Sequence, residues 1–202
     1  MKKIILTVFI ILFSNISLAK SINTYIEEAD SGNIDSAFKL GMIYEFGIKN
    51  KVDRDISKAI NYYEMAAEDN NYKAISRLGV IEYNRANYKK AIEYFKIAAK
   101  NDESLAEAYL GKIIEERSNS PEGALKFYES SANKNNPYGK MFLGEYLIKN
   151  SKKGSEDFIK GYAILVSASK QNEEAKNIIK RHPYKFSESD KEILKKYILK
   201  YQ

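Results

Sequence analysis

Leu40-Gly41-Met42-Ile43-Tyr44-Glu45-Phe46-Gly47, followed after a gap by Lys58-Ala59-Ile60-Asn61-Tyr62-Tyr63-Glu64-Met65-Ala66-Ala67, is the stretch that decides the fold. Each half recurs. The Leu-Gly pair returns at Leu78-Gly79, Leu110-Gly111 and Leu143-Gly144. The second half returns as Lys90-Ala91 through Ala98-Ala99, as Gly123-Ala124 through Tyr128 with Ser131-Ala132, and as Lys160-Gly161 through Leu165 with Ala168. The small residue of each second half lies nineteen positions before the next Leu: 59 to 78, 91 to 110 and 124 to 143. In the other direction the distance varies between 13 and 19. One connection of fixed length and one that tolerates insertion predict helix pairs stacked in series.

The residue pattern within each half agrees. Ala91, Ile92, Phe95, Ala98 and Ala99 fall on one face of a helix of 3.6 residues per turn. Glycine after each Leu costs a helix interior about 1 kcal/mol relative to alanine. Its recurrence therefore predicts a close approach, by the backbone of the helix carrying Ala59, Ala91, Ala124 or Gly161, with Tyr63, Phe95, Tyr128 and Leu165 filling the space beside it. Asp55 and Ser120-Pro121 read as helix starts, and Asp69-Asn70-Asn71 and Asn133 to Pro137 as breaks.

The first nineteen residues read as a secretory signal. Lys2 and Lys3 precede an apolar run from Ile4 to Phe13, and Ser17-Leu18-Ala19 is a small-x-small cleavage motif. The expected location is the periplasm or the medium, with cleavage after Ala19 and no membrane insertion thereafter. Cysteine is absent, which excludes disulfides, a thiolate metal site and a bacterial lipoprotein anchor. Beyond residue 19 the chain holds 31 basic and 27 acidic residues, mixed along helices, which is a solvated surface and not a nucleic-acid stripe.

No catalytic or cofactor motif emerges. His182 is the single histidine and stands before Pro183 in an expected turn. The adjacent carboxylates Glu27-Glu28, Glu115-Glu116 and Glu173-Glu174 diverge by about 100° on a helix and do not converge on a substrate. The expectation is no enzyme, no metal and no cofactor. Sixteen tyrosines, among them Tyr62, Tyr63, Tyr94 and Tyr128, are read as packing groups and not as a sugar-stacking platform.

These residues resemble the Sel-one-like repeat family, relatives of the tetratricopeptide repeat. The first copy carries the fullest match, with Leu40-Gly41, Tyr44, Gly47, Val52, Asp55, Lys58-Ala59, Tyr62-Tyr63 and Ala66-Ala67. The middle copies have shorter loops, and the fourth keeps neither the Tyr nor the Gly. The resemblance implies an all-α, right-handed α/α superhelical solenoid of about four helix-pair repeats over residues 35–170. A capping helix is expected over 20–34 and capping helices over 171–202, the last opening at a box formed by Ser189 and Glu192.

The resemblance further implies that the first helix of each pair lines a concave face that binds protein. Counting from each marker Leu, that face takes Phe38, Met42, Glu45 and Phe46, then Lys73, Ser76, Val80, Tyr83 and Asn84. Further along it takes Ala108, Lys112, Glu115 and Glu116, then Tyr138, Met141, Glu145, Ile148 and Lys149. Aromatic and methionine anchors among charges of both signs suit a protein ligand. The loops at 47–54 and 150–156 are competing surfaces. Small exported members of the family serve as immunity proteins against secreted lipase-type effectors, and this is the sharper expectation. An adaptor for cell-wall or secretion machinery is the alternative, and an enzyme on envelope glycans or peptides the third reading.

Overall fold

A computed structural model describes residues 21–118 and 122–201, so the expected leader and the Ser120-Pro121 helix start lie outside the described residues. Eleven α-helices are described: α1 Ile22–Asp30, α2 Ile34–Phe46, α3 Ile56–Glu68, α4 Tyr72–Asn84, α5 Tyr88–Lys100, α6 Ser104–Arg117, α7 Glu122–Asn133, α8 Pro137–Asn150, α9 Glu156–Ala168, α10 Glu173–Arg181 and α11 Glu188–Tyr201. No strand occurs among the described residues, and Ile48 and Val52 form an isolated bridge in the loop after α2. The described residues divide into two compact units, 21–106 and 107–201, the division along the chain falling within α6.

The N-terminal unit packs α1 on α2, α2 on α3, α3 on α4 and α4 on α5. Its core contains Tyr25, Leu40, Ile43, Tyr63, Leu78 and Ile81, all at most 6% exposed. In the C-terminal unit α7 packs on α8 and α8 on α9, while α9 is flanked by both α10 and α11.

The fixed spacing of nineteen has a local cause. Each helix pair is joined to the next by three residues whose middle member sits in the left-handed region: Asn70 (φ 61°), Asp102 (φ 61°) and Asn135 (φ 63°). Gly32 (φ 89°) between α1 and α2, and Ala86 (φ 63°) between α4 and α5, make the same turn. The amides after these residues reach back to the previous helix, Asn33 to the Glu28 carbonyl (2.9 Å), Asn71 to Ala66 (3.1 Å), Asn87 to Glu82 (2.9 Å), Glu103 to Ala98 (3.1 Å) and Asn136 to Ser131 (3.2 Å). This is the Schellman closure, which satisfies the otherwise orphaned carbonyls of the last helical turn. The residue that completes it usually starts the next helix. Asn33, Asn71 and Asn136 each accept a hydrogen bond from an amide of the following first turn. A rigid three-residue turn leaves no slack, so the spacing cannot drift.

The glycines of the Leu-Gly pairs do a slightly different job from the one expected. A Cβ at residue 79 would stand 2.6 Å from the Phe95 ring and one at 111 would stand 2.7 Å from the Tyr128 ring, while one at 41 would enter the Tyr63 ring. In three pairs the glycine thus admits an aromatic ring rather than a backbone. In the fourth the expectation holds as stated: a Cβ on Gly144 would lie 2.9 Å from the Gly161 carbonyl oxygen, and one on Gly161 equally close to that of Gly144. Tyr63, Phe95, Tyr128 and Leu165 are all fully buried. Each contributes about 1.5–3 kcal/mol by burial alone.

The last helix starts two residues earlier than the sequence suggested. Ser187, not Ser189, is the cap: its hydroxyl accepts from the Asp190 amide (3.2 Å) and the Asp190 carboxylate accepts from the Ser187 amide (2.9 Å). Asp190 is buried and also accepts from the Tyr184 hydroxyl (3.1 Å), which Ser189 and the exposed Glu192 do not match. The far end of α11 meets a buried lysine. The Lys140 ammonium, on α8, donates to the Ser167 hydroxyl of α9 (3.1 Å) and to the Tyr201 carbonyl oxygen. Burial, with Lys170 adding to it, lowers the Lys140 pKa below the usual lysine value. A cation at a helix C-terminus answers the negative end of the helix dipole.

Candidate partner-binding face

The structure sorts the expected binding residues by their place on the first helices α2, α4, α6 and α8. In the N-terminal unit Lys73 and Asn84 are exposed, and Phe38, Met42, Phe46 and Tyr83 are half-buried with one edge open. Phe38 leans on the Tyr63 ring, with centroids 5.9 Å apart. Tyr83 meets Tyr88 edge-on at 5.7 Å. The Arg77 guanidinium lies 4.8 Å above the Phe46 ring, an arrangement the spacing from the marker Leu did not identify. Ser76 (0% exposed), Val80 (4%) and Glu45 (6%) are interior and offer a partner no side chain.

In the C-terminal unit Glu116 and Lys149 are exposed, while Lys112, Glu115, Tyr138 and Glu145 are half-buried. Lys112 sits between Glu115 (3.1 Å) and Glu116 (3.4 Å) and above the Phe142 ring at 5.6 Å. Burial pulls the Lys112 pKa down, but Glu115, with Glu116 and Glu145 behind it, overrides this and holds it above the usual lysine value. Glu145 pairs with Lys149 at 2.7 Å, one turn on. Tyr138 tilts against Tyr109 (5.9 Å) and Phe142 (6.4 Å). Ala108, Met141 (6% exposed) and Ile148 (5%) are buried.

Val80 and Met141 are therefore corrections, together with Ser76, Ala108, Glu45 and Ile148. A helix packed on more than one neighbour buries a wider stripe than the a/d-like seam of a two-helix contact. The positions two residues before the Leu fall inside that stripe in most copies, and in the second copy so does Val80, two residues after it. What stays open are positions two and six after the Leu, represented by Met42, Phe46 and Asn84 in the N-terminal unit and, separately, by Lys112, Glu116, Glu145 and Lys149 in the C-terminal unit.

Behind the strip lies a polar support. The Tyr63 hydroxyl donates to the Glu45 carboxylate at 2.6 Å, and Arg77 donates to the same carboxylate through Nε (2.9 Å) and a terminal guanidinium nitrogen. Tyr128 donates to Glu115 at 2.7 Å. Burial first, then the adjacent Glu45, raises the Tyr63 pKa; burial first, then the bond to Glu115, raises that of Tyr128. The acceptor stands four residues after the glycine in both cases. Where the ring is Phe95, that position is Tyr83; where it is Leu165, it is Ile148. This pairing could have been found in the sequence, because a buried hydroxyl requires an acceptor and a phenyl ring does not.

The adjacent carboxylates are all engaged structurally or turned apart. Glu28 accepts from the Ser36 hydroxyl, Glu173 pairs with Lys176 (2.7 Å) and Glu174 with Arg181 (2.8 Å). His182 closes α10, its amide donating to the Ile178 and Ile179 carbonyls. No helix among the described residues is long and apolar enough to cross a membrane.

The family model of the Sel1 repeat matches residues 34–71, 74–103 and 104–136. The fourth helix pair, α8 and α9, falls outside the matched residues although it packs as a pair. None of the curated protein sequences matches the chain significantly. Among solved structures, a protective antigen of uropathogenic Escherichia coli with an SLR fold, c5321, superposes with a TM-score of 0.67 at 24% identity, over 96% of this chain and 44% of that one. The chain thus spans less than half the length of that antigen. A Sel1 repeat protein from Oxalobacter formigenes gives 0.64 at 24% identity, over 86% and 74% of the two chains. The immunity protein Pa5087 from Pseudomonas aeruginosa gives 0.59 at 17% identity, over 89% and 73%.

Proposed function

The chain belongs to the Sel1 repeat family, and from that premise we propose that it is an exported protein-binding module of the bacterial envelope which neutralises a secreted effector. The observation that carries the reading is the set of open positions on the first helices of each unit, taken unit by unit. In the N-terminal unit Met42, Phe46 and Tyr83 offer apolar surface held by packing behind it, with Lys73 and Asn84 at the border. In the C-terminal unit Lys112, Glu116, Glu145 and Lys149 offer paired charges. Anchors already fixed by neighbours lose little entropy on binding, which favours tight capture of a folded partner. Binding rather than turnover is the activity in this reading, since Glu28, Glu115, Glu173 and Glu174 are occupied with structural partners.

The immunity role draws support from the fold shared with Pa5087, and the location from the leader-like residues 1–19. A toxin gene of lipase type beside this one would agree with it, and a cell-wall cluster would favour an adaptor. The direct test is capture of the neighbouring gene's product by the purified protein, measured by calorimetry, with inhibition of its lipase activity. Phe46→Ala with Tyr83→Ala tests one unit and Glu116→Lys with Lys149→Glu the other. Loss of at least about tenfold in affinity, on the order of 1.4 kcal/mol, is expected from one of them. Full capture by both folded variants rules out the strip, and a neighbouring product that neither binds nor is inhibited rules out the immunity role.

A further inference from the structure

The charge of the chain is unevenly placed. Residues 21–148 carry seventeen Lys or Arg against twenty Asp or Glu, whereas residues 149–202 carry thirteen against seven. The contrast sharpens in the two terminal helices. Helix α1 has Glu27, Glu28 and Asp30 and no base. Residues 193–201 of α11 have Lys195, Lys196 and Lys200 and no acid.

Both helices also have a face on which none of the described helices makes a main packing contact. Helix α1 rests on α2 through Tyr25 and Ala29, and turns Glu27 and Asp30 to solvent. Beside them Glu27, Glu28, Ser31, Gly32 and Asn33 border a shallow depression. Helix α11 rests on α9 and turns out Lys195, Lys196, Leu199 and Lys200. Leu199 is 64% exposed, with those three lysines one turn before it and directly after it. Lys196 reaches Glu156 at 3.2 Å, and Lys195 makes no ion pair with a described residue. In a stacked-repeat protein the terminal faces are where a capping surface is needed, and Leu199 among three lysines gives this one an apolar centre with a basic rim.

We propose that the outward face of α11, centred on Leu199, Lys195 and Lys200, docks on the acidic end formed by α1 of a second copy of the same chain, in a head-to-tail contact. The complementarity carries the choice of occupant: one chain holds both halves, acidic on α1 and basic on the outward face of α11. The contact is heterologous, with different surfaces on the two partners, and is steered by opposite charge.

Sedimentation velocity on the protein isolated from expressing cells tests this. Association that grows with concentration is expected at about 0.01 M ionic strength, where charges act over about 30 Å, and its loss at about 1 M, where they act over about 3 Å. Glu27→Lys with Asp30→Lys alters one end and Lys195→Glu with Lys200→Glu the other; none of these side chains is in the core. Each double variant alone should associate at least about tenfold more weakly. Mixed in equal amounts they should associate again, since each keeps the end the other has lost. Leu199→Ser should weaken the contact without changing its salt dependence. A monomer at all concentrations, or variants that associate as the parent does, overturns the proposal. So does a mixture of two folded variants that stays monomeric. A monomer that binds anionic phosphatidylglycerol vesicles through Leu199 likewise overturns it and gives that face to a membrane.

Discussion

The first and second helix pairs share a unit, a register and a glycine, yet they close differently. In the first, Gly41 admits Tyr63, whose hydroxyl donates to the Glu45 carboxylate, to which Arg77 also donates. In the second, Gly79 admits Phe95, and Tyr83 occupies the place of the glutamate. The first pair also carries a nine-residue loop, with Arg54 donating to the Glu45 carbonyl (2.9 Å), where the second has the three-residue turn around Ala86. The ring is the constant and the polar tip is optional. A repeat that keeps the hydroxyl must also keep an acceptor four residues beyond its glycine, as the third pair does with Glu115 and Tyr128.

The sharpest way to break this contrast is Glu45→Leu. It strands the Arg77 guanidinium and the Tyr63 hydroxyl in the interior, and urea denaturation should show a loss of about 3–5 kcal/mol. Tyr83→Leu, at the matching place in the second pair, should change stability by less than about 1 kcal/mol. Next in size, Phe95→Tyr brings an unreceived hydroxyl into the second pair and should cost about 1–3 kcal/mol. Adding Tyr83→Glu should return part of that loss. A Phe95→Tyr variant as stable as its parent would dissolve the pairing rule.

Alkali should separate the pairs as well. The folded-state pKa of Tyr63 is raised above its unfolded value of 10.0, so its contribution is intact below that pH and drains away above it. Above pH 10 each such tyrosine should steepen the fall in stability by about 1 kcal/mol per pH unit. Tyr63→Phe should flatten that slope, whereas Phe95→Leu, which removes no titrating group, should leave it unchanged. The smallest effect belongs to the turn of the second pair. Ala86 is a left-handed residue with a Cβ, and Ala86→Gly should add about 1 kcal/mol at the thermal midpoint, while Asn70→Gly, at the equivalent turn, should add only a few tenths.

Much of the fold could be read from the residues, because a helix pair repeated in one register announces itself through spacing. The Leu-Gly pairs, the Asp55 cap and the helices at both ends were all legible, and Asp55 does accept from the Lys58 amide (3.0 Å). The turns were only half legible. Asn70-Asn71 and Asn135-Asn136 look like breaks, but Ala86-Asn87 does not, since alanine carries no signal for a left-handed backbone. The binding strip was the least legible part. Counting from the Leu places Val80 and Met141 on the helix correctly but says nothing of how many neighbours each helix has, and burial follows from neighbours. Arg77 was missed because its partners, Glu45 and Phe46, belong to the preceding pair.

Lys140 carries a consequence for the order in which the C-terminal helices close on one another. Among the described residues its ammonium donates to Ser167 of α9 and to the Tyr201 carbonyl at the far end of α11, sixty-one residues downstream. Until α11 arrives, leaving that cation in water is cheaper than enclosing it, so α8 stays ajar. Docking of α11 therefore completes the fourth pair, and a chain truncated before α11 should expose α8 to proteases.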